Sequence, residues 1–391
     1  MPDFQIQNLS LTARILVNTE ALNMAESVGN YTRHRKAPIV IPSENGYSIL
    51  YAPVVSGESL AHAYQAILAQ IASQRGLPVT QMDLRGYFMK FADKNIIKSY
   101  YSNDLAKILG LKKEDPKEIE EEVVKILEGY KNPGEIERLF VRTSVVADVG
   151  GFLYTTKTEE KTKKSSKKTD EGEEKVSIVK RTSPIRFAYL IPAIDALITG
   201  GVSIYPQLHV RYTPGAKEKE QALFYVESGS ALYTLTAQLV ISDIGKISMD
   251  PLLKDEELEK QRPNRIDAAV DALIMLVDGI LFGAKRSRYL PQWEVRSLLA
   301  SFSRGPVEFN VTPGLSKDYM AKTYERAVSI ARALENKMVI NMYAYNGETG
   351  YLEEPKVNTE IKNVTFEKAG SPAEALYRVK EKLMLINKPL R

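Results

Sequence analysis

Residues 4–22, FQIQNLSLTARILVNTEAL, decide the fold. Leu9, Leu11, Ala13 and Ile15 alternate with polar side chains, the period of two that marks a strand. GYSILYAPVV (46–55) reads as a second extended piece. SGESLAHAYQAILAQIASQRG (56–76) changes period: Ser56 or Ser59 supplies an N-cap, Leu60, Tyr64, Ile67, Leu68 and Ile71 fall at helical spacing, and Gly76 ends the run. A mostly helical stretch follows to about residue 140. SNDLAKILGL, DPKEIEEEVVKILEGY and NPGEIERLF each start on an Asn or acidic residue or near one, and each of the first two stops at a glycine.

Further on, the pattern returns to strands. VVADVGGFLYTT (145–156) and VSIVKRTSPIRFAYLIPAI (176–194) both read as extended, and they flank TTKTEEKTKKSSKKTDEGEEK (155–175), which holds no apolar residue. Such a run cannot offset its ordering entropy and predicts a mobile loop at the tip of a long hairpin. GGVSIYPQLHVRYTP and QALFYVESGSALYTLTAQLVI form a second strand pair around the polar turn GAKEKE. Helices over 264–282 and 316–336, the strand KMVINMYAY and the amphipathic helix SPAEALYRVKEKLMLI complete an α+β pattern without solenoid repeats.

Composition narrows the function. The chain has 391 residues, long enough for one large or two domains, and its net charge is only +4. Any affinity for nucleic acid must therefore come from clustering. With no cysteine, disulfides, thiolate nucleophiles and Cys-ligated metal sites are excluded together. Absent cysteine and abundant Lys and Glu are common in proteins of hyperthermophiles. The start of the chain has no continuous apolar h-region, and the longest apolar runs are broken by Asp195, Asp271, Asp278, proline or glycine. The expectation is a cytoplasmic protein with no membrane span.

Enzyme chemistry has little support. His34, His62 and His209 are the only histidines, and no H-E-x-x-H, Walker A or G-x-G-x-x-G pattern occurs. No cofactor or metal is expected. Asp267, Asp271 and Asp278 share one helix face and read as a solvated stripe.

The basic clusters carry more information because of where they fall. Arg33, His34, Arg35 and Lys36 follow Tyr31; Lys180, Arg181, Ser183 and Arg186 surround a Ser-Pro break; His209 and Arg211 lie between Tyr205 and Tyr212. The fourth cluster, GAKRSRYLP (283–291), sets Lys285, Arg286 and Arg288 beside Tyr289 after an apolar helix, with Gly283 at the exit. A helix dipole accounts for basic residues at a C-terminus but does not call for three cations and a tyrosine. Cations at the ends of apolar segments, with aromatic rings close by, fit single-stranded nucleic acid. Ser56, Gly57 and Ser59, with His62 on the first turn, offer free N–H groups at a helix start, where anions are welcome.

Taken in order, LTARILVNTEALNMAESVGNYTRHRKAP, YAPVVSGESLAHAYQ, VKRTSPIRFAYLIP, QLHVRYTP, YVESGSALY and GILFGAKRSRYLP resemble the DevR-type backbone subunits of Cascade. These belong to the RAMP superfamily of type I CRISPR–Cas systems, and the likeness is nearest to the archaeal subtype I-A branch. The resemblance implies a modified RRM-like (ferredoxin-like) palm with helical fingers and a β-hairpin thumb. The palm would then begin over 1–76, with a helical insertion over 77–140 and a projecting hairpin over 141–190. The rest of the palm and the thumb would fill 191–345, and an extension with an amphipathic helix 346–391. It also implies copies stacked head to tail along a CRISPR RNA, other Cascade subunits as neighbours, and guide bases displayed to a target DNA strand. No RNP1-type aromatic motif is present, so base stacking on the sheet is not expected. Asn18, Arg33, Arg35, Lys36, Ser56, Gly57, Ser59, Arg181, Arg186, Lys285, Arg286 and Arg288 are the expected RNA contacts. His34, His62, Lys180, Ser183, His209, Arg211 and Gly283 lie with them. The enzymatic alternative is an RNA endonuclease of the same superfamily, with Asp148 in VVADVGG as its one candidate acid.

Overall fold

The computed structural model describes residues 6–155, 178–211, 222–279 and 283–387. The stretch read as a mobile loop (all but Thr155), the GAKEKE turn and Tyr212 therefore lie outside the described residues. The chain forms two compact units, one of residues 1–63, 186–240 and 273–391, the other of 64–185 and 241–272.

Elements run in chain order as follows. The first are β1 (Ile6–Glu20), β2 (Met24–Val28), β3 (Tyr31–His34), β4 (Lys36–Ser43), β5 (Gly46–Pro53) and α1 (Gly57–Gln74). Next come α2 (Gln81–Leu84), β6 (Phe91–Asp93), α3 (Lys94–Ile96) with a π turn at Ile97–Tyr101, α4 (Ser102–Leu109), α5 (Pro116–Gly129), α6 (Pro133–Thr143) and α7 (Val145–Gly150). They are followed by β7 (Phe152–Thr155), β8 (Ile178–Arg181), β9 (Ile185–Phe187), β10 (Ile191–Pro192), α8 (Ile194–Ile198), β11 (Val202–Arg211) and β12 (Ala222–Val240). The last are α9 (Glu256–Asp278), β13 (Gln292–Gly305), α10 (Tyr319–Ala333), β14 (Val339–Asn346), β15 (Val364–Ala369) and α11 (Pro372–Asn387). The architecture is mixed α+β.

In the first unit the main sheet runs β15-β14-β13-β1-β12, with the β3-β2 hairpin continuing past β12 and β9, β10 and β11 also pairing with β12. β1 is antiparallel to both neighbours: Ala13 lies opposite Leu235 of β12 and Leu298 of β13. Its alternation predicts one dry face and one wet one, as a strand with a single buried face requires. Both faces are dry. Leu9, Leu11, Ala13, Ile15 and Val17 are at most 2% exposed, and so are Asn8, Ser10, Thr12 and Arg14 between them.

Buried polar groups need partners, and the segment after β13 supplies them. Asn8 Nδ2 donates to Phe309 O (2.6 Å), Val311 N donates to Ser10 Oγ (3.1 Å) and Gly314 N to Thr12 Oγ1 (2.9 Å). Arg14 closes the row. Its guanidinium donates to Gly314 O (3.1 Å), to Asp195 Oδ2 on α8 (3.0 Å) and to Glu348 Oε1 after β14 (2.9 Å). Burial alone would lower the Arg14 pKa; Glu348 and Asp195 outweigh it and raise it.

The second unit holds most of the helices. Caps stand where the sequence places them: Asp115 accepts from Lys117 N and Asn132 from Gly134 N, each just before a first-turn proline. Phe140 packs edge-on against Phe152 (5.2 Å) and Tyr154 (5.3 Å) at the centre of this unit's core. The strand expected over 145–156 is a strand only from Phe152. Residues 145–150 are α7, because Ser144 caps that turn by accepting from Ala147 N (3.0 Å). Gly151 then leaves the helix at φ +69°, and a Cβ there would lie 2.6 Å from Arg181 O. The Asp stripe is solvated in part: Asp267 and Asp271 are half-buried and both pair with Arg75, just past the end of α1, Asp267 at 2.8 Å, while Asp278 is exposed.

Removing one member of a buried ion cluster strands the others. Arg14→Met is expected to lower unfolding free energy by about 3 kcal/mol, read by urea titration. Adding Asp195→Asn and Glu348→Gln is expected to recover most of that loss. A single variant as stable as the parent would show the row is not closed by this arginine.

Candidate nucleic-acid interface

Four residues at the end of β1 and just beyond it, Glu20 to Asn23, organise three of the four basic clusters, all in the first unit. Glu20 is fully buried. Its carboxylate accepts from Leu22 N (2.6 Å) and Tyr233 Oη (2.7 Å) and pairs with His34 Nε2 (2.8 Å). The β1–β12 register shifts at this point, with Gly229 opposite Glu20, and a Cβ on residue 229 would fall on Glu20 Oε1. The glycine is the room the carboxylate occupies.

His34 is therefore turned into the protein rather than toward solvent. It is 3% exposed and its ring is spent on Glu20 and on Arg35 O (2.8 Å). Burial alone would lower the His34 pKa, but Glu20 first, then Arg35 O and Glu227, raise it above 6.5. Burial would raise Glu20; hydrogen bonding and attraction from His34, then the Leu22 N–H and Tyr233, hold it below 4.5. The two shifts agree on a charged pair.

Around this pair the first cluster opens a cleft of about 550 Å³ lined by Arg33, Arg35, Lys36, Tyr31, Glu26 and Glu227. Arg33 is exposed on β3 with its guanidinium 5.8 Å from the centre of the Tyr31 ring, which stacks on Tyr225 (5.8 Å, 28°). Glu227 accepts from Tyr31 Oη (3.1 Å) and His34 N (2.9 Å) and pairs with Lys36 Nζ (3.3 Å). Asn23 joins the cleft to the start of α1: its Oδ1 accepts from Arg35 Nε (2.9 Å) and from Ser56 N (3.0 Å). Ser56 in turn caps α1 by accepting from Ser59 N (3.2 Å), and His62 is exposed on the same helix.

The fourth cluster meets the same segment from the other side. Ala284 N donates to Leu22 O (3.3 Å). Lys285 adopts φ +52°, and Arg288 N and Tyr289 N both donate to Lys285 O (2.9 Å each). Tyr289 is buried and its hydroxyl bonds His209 Nε2; His209 stacks on Phe224 (5.2 Å), and Arg288 lies 5.6 Å from the centre of that same ring. Partial burial, then the Arg288 charge, hold the Lys285 ammonium below its ordinary pKa. The third cluster's His209 thus joins the fourth through a tyrosine. Arg211 closes β11, and Asn18 is half-buried opposite Gln292.

The second cluster does not join them. Arg181, expected on phosphate, is 3% exposed in the second unit, its guanidinium bound to Glu137 (2.7 Å), Asp148, Asp243 O (3.0 Å) and Lys246 O (2.7 Å). Asp148 is itself fully buried and also takes Arg265 (2.9 Å), so it cannot reach a substrate. Lys180 is exposed beside it, and the Ser183 hydroxyl donates to Ile185 O (2.6 Å). Arg186, in the first unit, pairs with Glu308 (2.7 Å). Neither glycine of the sequence analysis makes room for a ligand. A Cβ on Gly57 would lie 2.6 Å from Phe187 O, and one on Gly283, at φ +116°, 2.6 Å from Leu22 Cδ2. Both are needed for close packing within the protein.

Among the described residues no group of three His, Asp or Glu side chains could hold a metal ion, and no helix is long and apolar enough to cross a membrane.

The model of the family described as CRISPR-associated negative auto-regulator DevR/Csa2 matches residues 11–324, and the chain belongs to that family. It is 35% identical over 344 residues to a Saccharolobus solfataricus protein named CRISPR-associated aCascade subunit Cas7/Csa2 2, covering 87% of this chain and 92% of that one. A Methanocaldococcus jannaschii protein named CRISPR-associated protein Cas7/Cst2/DevR is 24% identical over 359 residues, 88% of this chain and 94% of its own. A solved chain described as CRISPR RNA-guided surveillance complex, pre-nicking, aligns over 97% of this chain and 100% of its own at 9% identity and a TM-score of 0.47.

The Glu20–His34 pair has a pH signature. The raised His34 pKa gives stability that is full below 6.5 and lost as pH rises through the raised value. The lowered Glu20 pKa gives stability that is full above 4.5 and lost as pH falls through the lowered value. The melting-temperature difference between the parent and His34→Gln is expected to peak between those two ordinary values and to shrink on both sides. A difference independent of pH would mean that the pair is not ionised.

Proposed function

We propose that the chain is a non-catalytic, CRISPR-RNA-binding backbone subunit of a type I surveillance complex. Copies of it coat the guide head to tail beside other Cascade subunits and present bases to a target DNA strand in the cytoplasm. Membership of the DevR/Csa2 family and a relative named as a Cascade subunit support the assignment. The observation that carries the RNA reading is the convergence of three basic clusters on Glu20–Asn23.

A ferredoxin-like palm finds support in connectivity: β1, α1, β11, β12, α9 and β13 follow in that order, with the strands arranged β13-β1-β12-β11. In this reading the second unit supplies the fingers and β11–β12 the thumb. Arg33, Arg35, Lys36, Lys285, Arg286 and Arg288 contact phosphates, with Ser56, Ser59, His62 and His209 close to the strand and Asn18, Arg186 and Arg211 further along its path; Lys180 is a separate contact of the second unit. Specificity comes from base pairing rather than from protein side chains.

Fluorescence anisotropy with mixed-sequence single-stranded RNA tests this over a salt series. Replacing Lys285, Arg286 and Arg288 together with alanine is expected to weaken binding evenly across sequences. The logarithmic salt slope should become shallower by up to about 2, from roughly 0.7 per phosphate contact. Unchanged affinity with an unchanged melt would remove these residues from the interface.

A further inference from the structure

We infer that Asn23 is a positioning residue that fastens Arg35 of the cationic cleft to the start of α1 and so aims its guanidinium at phosphate; this rests on the RNA reading above. One amide oxygen serves both halves, taking Arg35 Nε at 2.9 Å and Ser56 N at 3.0 Å. The Asn23 carbonyl takes Arg35 N (2.8 Å), and Arg35 O receives Val54 N (3.0 Å). The residue is therefore fastened on both sides of the short chain path between β3 and β4.

The consequence for Arg35 is specific. Its Nε is committed to Asn23, which fixes the plane of the guanidinium while the Nη edge stays available for an anion. Arginine presents its donors as a rigid planar fork, so a bond at Nε sets where the others point. Lysine has no equivalent, being a compact charge on a flexible stem. At the other end, Ser56 N is tied up by Asn23, and its hydroxyl by Ser59 N. The serine is therefore a fixed post at the helix start. Preorganisation of this kind raises affinity by removing the ordering cost that binding would otherwise carry. A residue that touches no ligand thereby sets how well Arg35 does.

The experiment compares Asn23→Ala, Arg35→Ala, Arg35→Lys and the Asn23→Ala/Arg35→Ala pair, by anisotropy with mixed-sequence single-stranded RNA over a salt series. A thermal melt accompanies each. Asn23→Ala is expected to weaken binding about three- to tenfold and to flatten the salt slope by about one contact. Arg35→Lys, which keeps the charge, is expected to lose nearly as much as Arg35→Ala. The double variant should lose less than the sum of the two single losses, as coupled residues do. Additive losses, or Arg35→Lys with parental affinity, would overturn the inference. Should Asn23→Ala fail to fold, Arg35→Lys alone decides it. Arg33→Ala combined with Lys36→Ala separates the two levels. If that pair leaves RNA affinity unchanged, the cleft reading itself falls. If the pair weakens binding while Asn23→Ala does not, only the positioning role falls.

Discussion

A carboxylate buried at the end of a strand sets the terms for this basic surface. Glu20 is out of water, and a charge in that position persists only when it is paired and hydrogen-bonded. Its three partners come from different parts of the chain: His34 from β3, Tyr233 from β12 and the backbone of Leu22 two residues on. Satisfying Glu20 therefore brings the β2–β3 hairpin onto the end of the main sheet. The turn after β1 is held there with Leu22 against Gly283 and Asn23 beside Arg35. Cations that would repel each other if gathered freely are gathered on a frame whose centre is negative.

Charge burial recurs in the second unit with a different composition. There Asp148 and Glu137 hold Arg181, and Asp148 also holds Arg265, all four side chains at most 2% exposed. These contacts tie β8 to α6, α7 and α9. A guanidinium that meets two carboxylates and backbone carbonyls fixes their relative positions closely. The cost of desolvating such pairs offsets much of their attraction, whereas losing one member leaves the others buried and unpaired.

Much of the fold was legible in local pattern. β1, α1, the caps at Asp115 and Asn132 and the β11–β12 pair follow from period and capping chemistry, which act within a few residues. What failed was long-range. The polar face of β1 gives no sign that residues 309–314 cover it. The valines of 145–149 favour a strand by propensity, yet a single serine cap turns them into a helix. Arg181 looks like any cation beside a Ser-Pro break, and only the fold reveals Glu137 and Asp148 around it. The site was half legible for a related reason. A search for cations and rings finds Arg33, Lys36, His209 and Lys285, but passes over Glu20, Asn23 and Glu227. Their types are wrong for an anion site, and their work is to hold other residues. The sequence signal that could have found Glu20 is a lone acid closing a strand just ahead of a basic run.

Gly229 and Glu20 have an evolutionary corollary. No side chain fits at 229 while the carboxylate occupies that space, and no neutral residue at 20 satisfies a charged His34. The two positions, with 34, are free to drift only as a set. A lineage that acquires bulk at 229 must already have surrendered the acid at 20 and the imidazole with it. Within the family, the amino acids at these three positions should travel together even where the cations around them are exchanged one at a time.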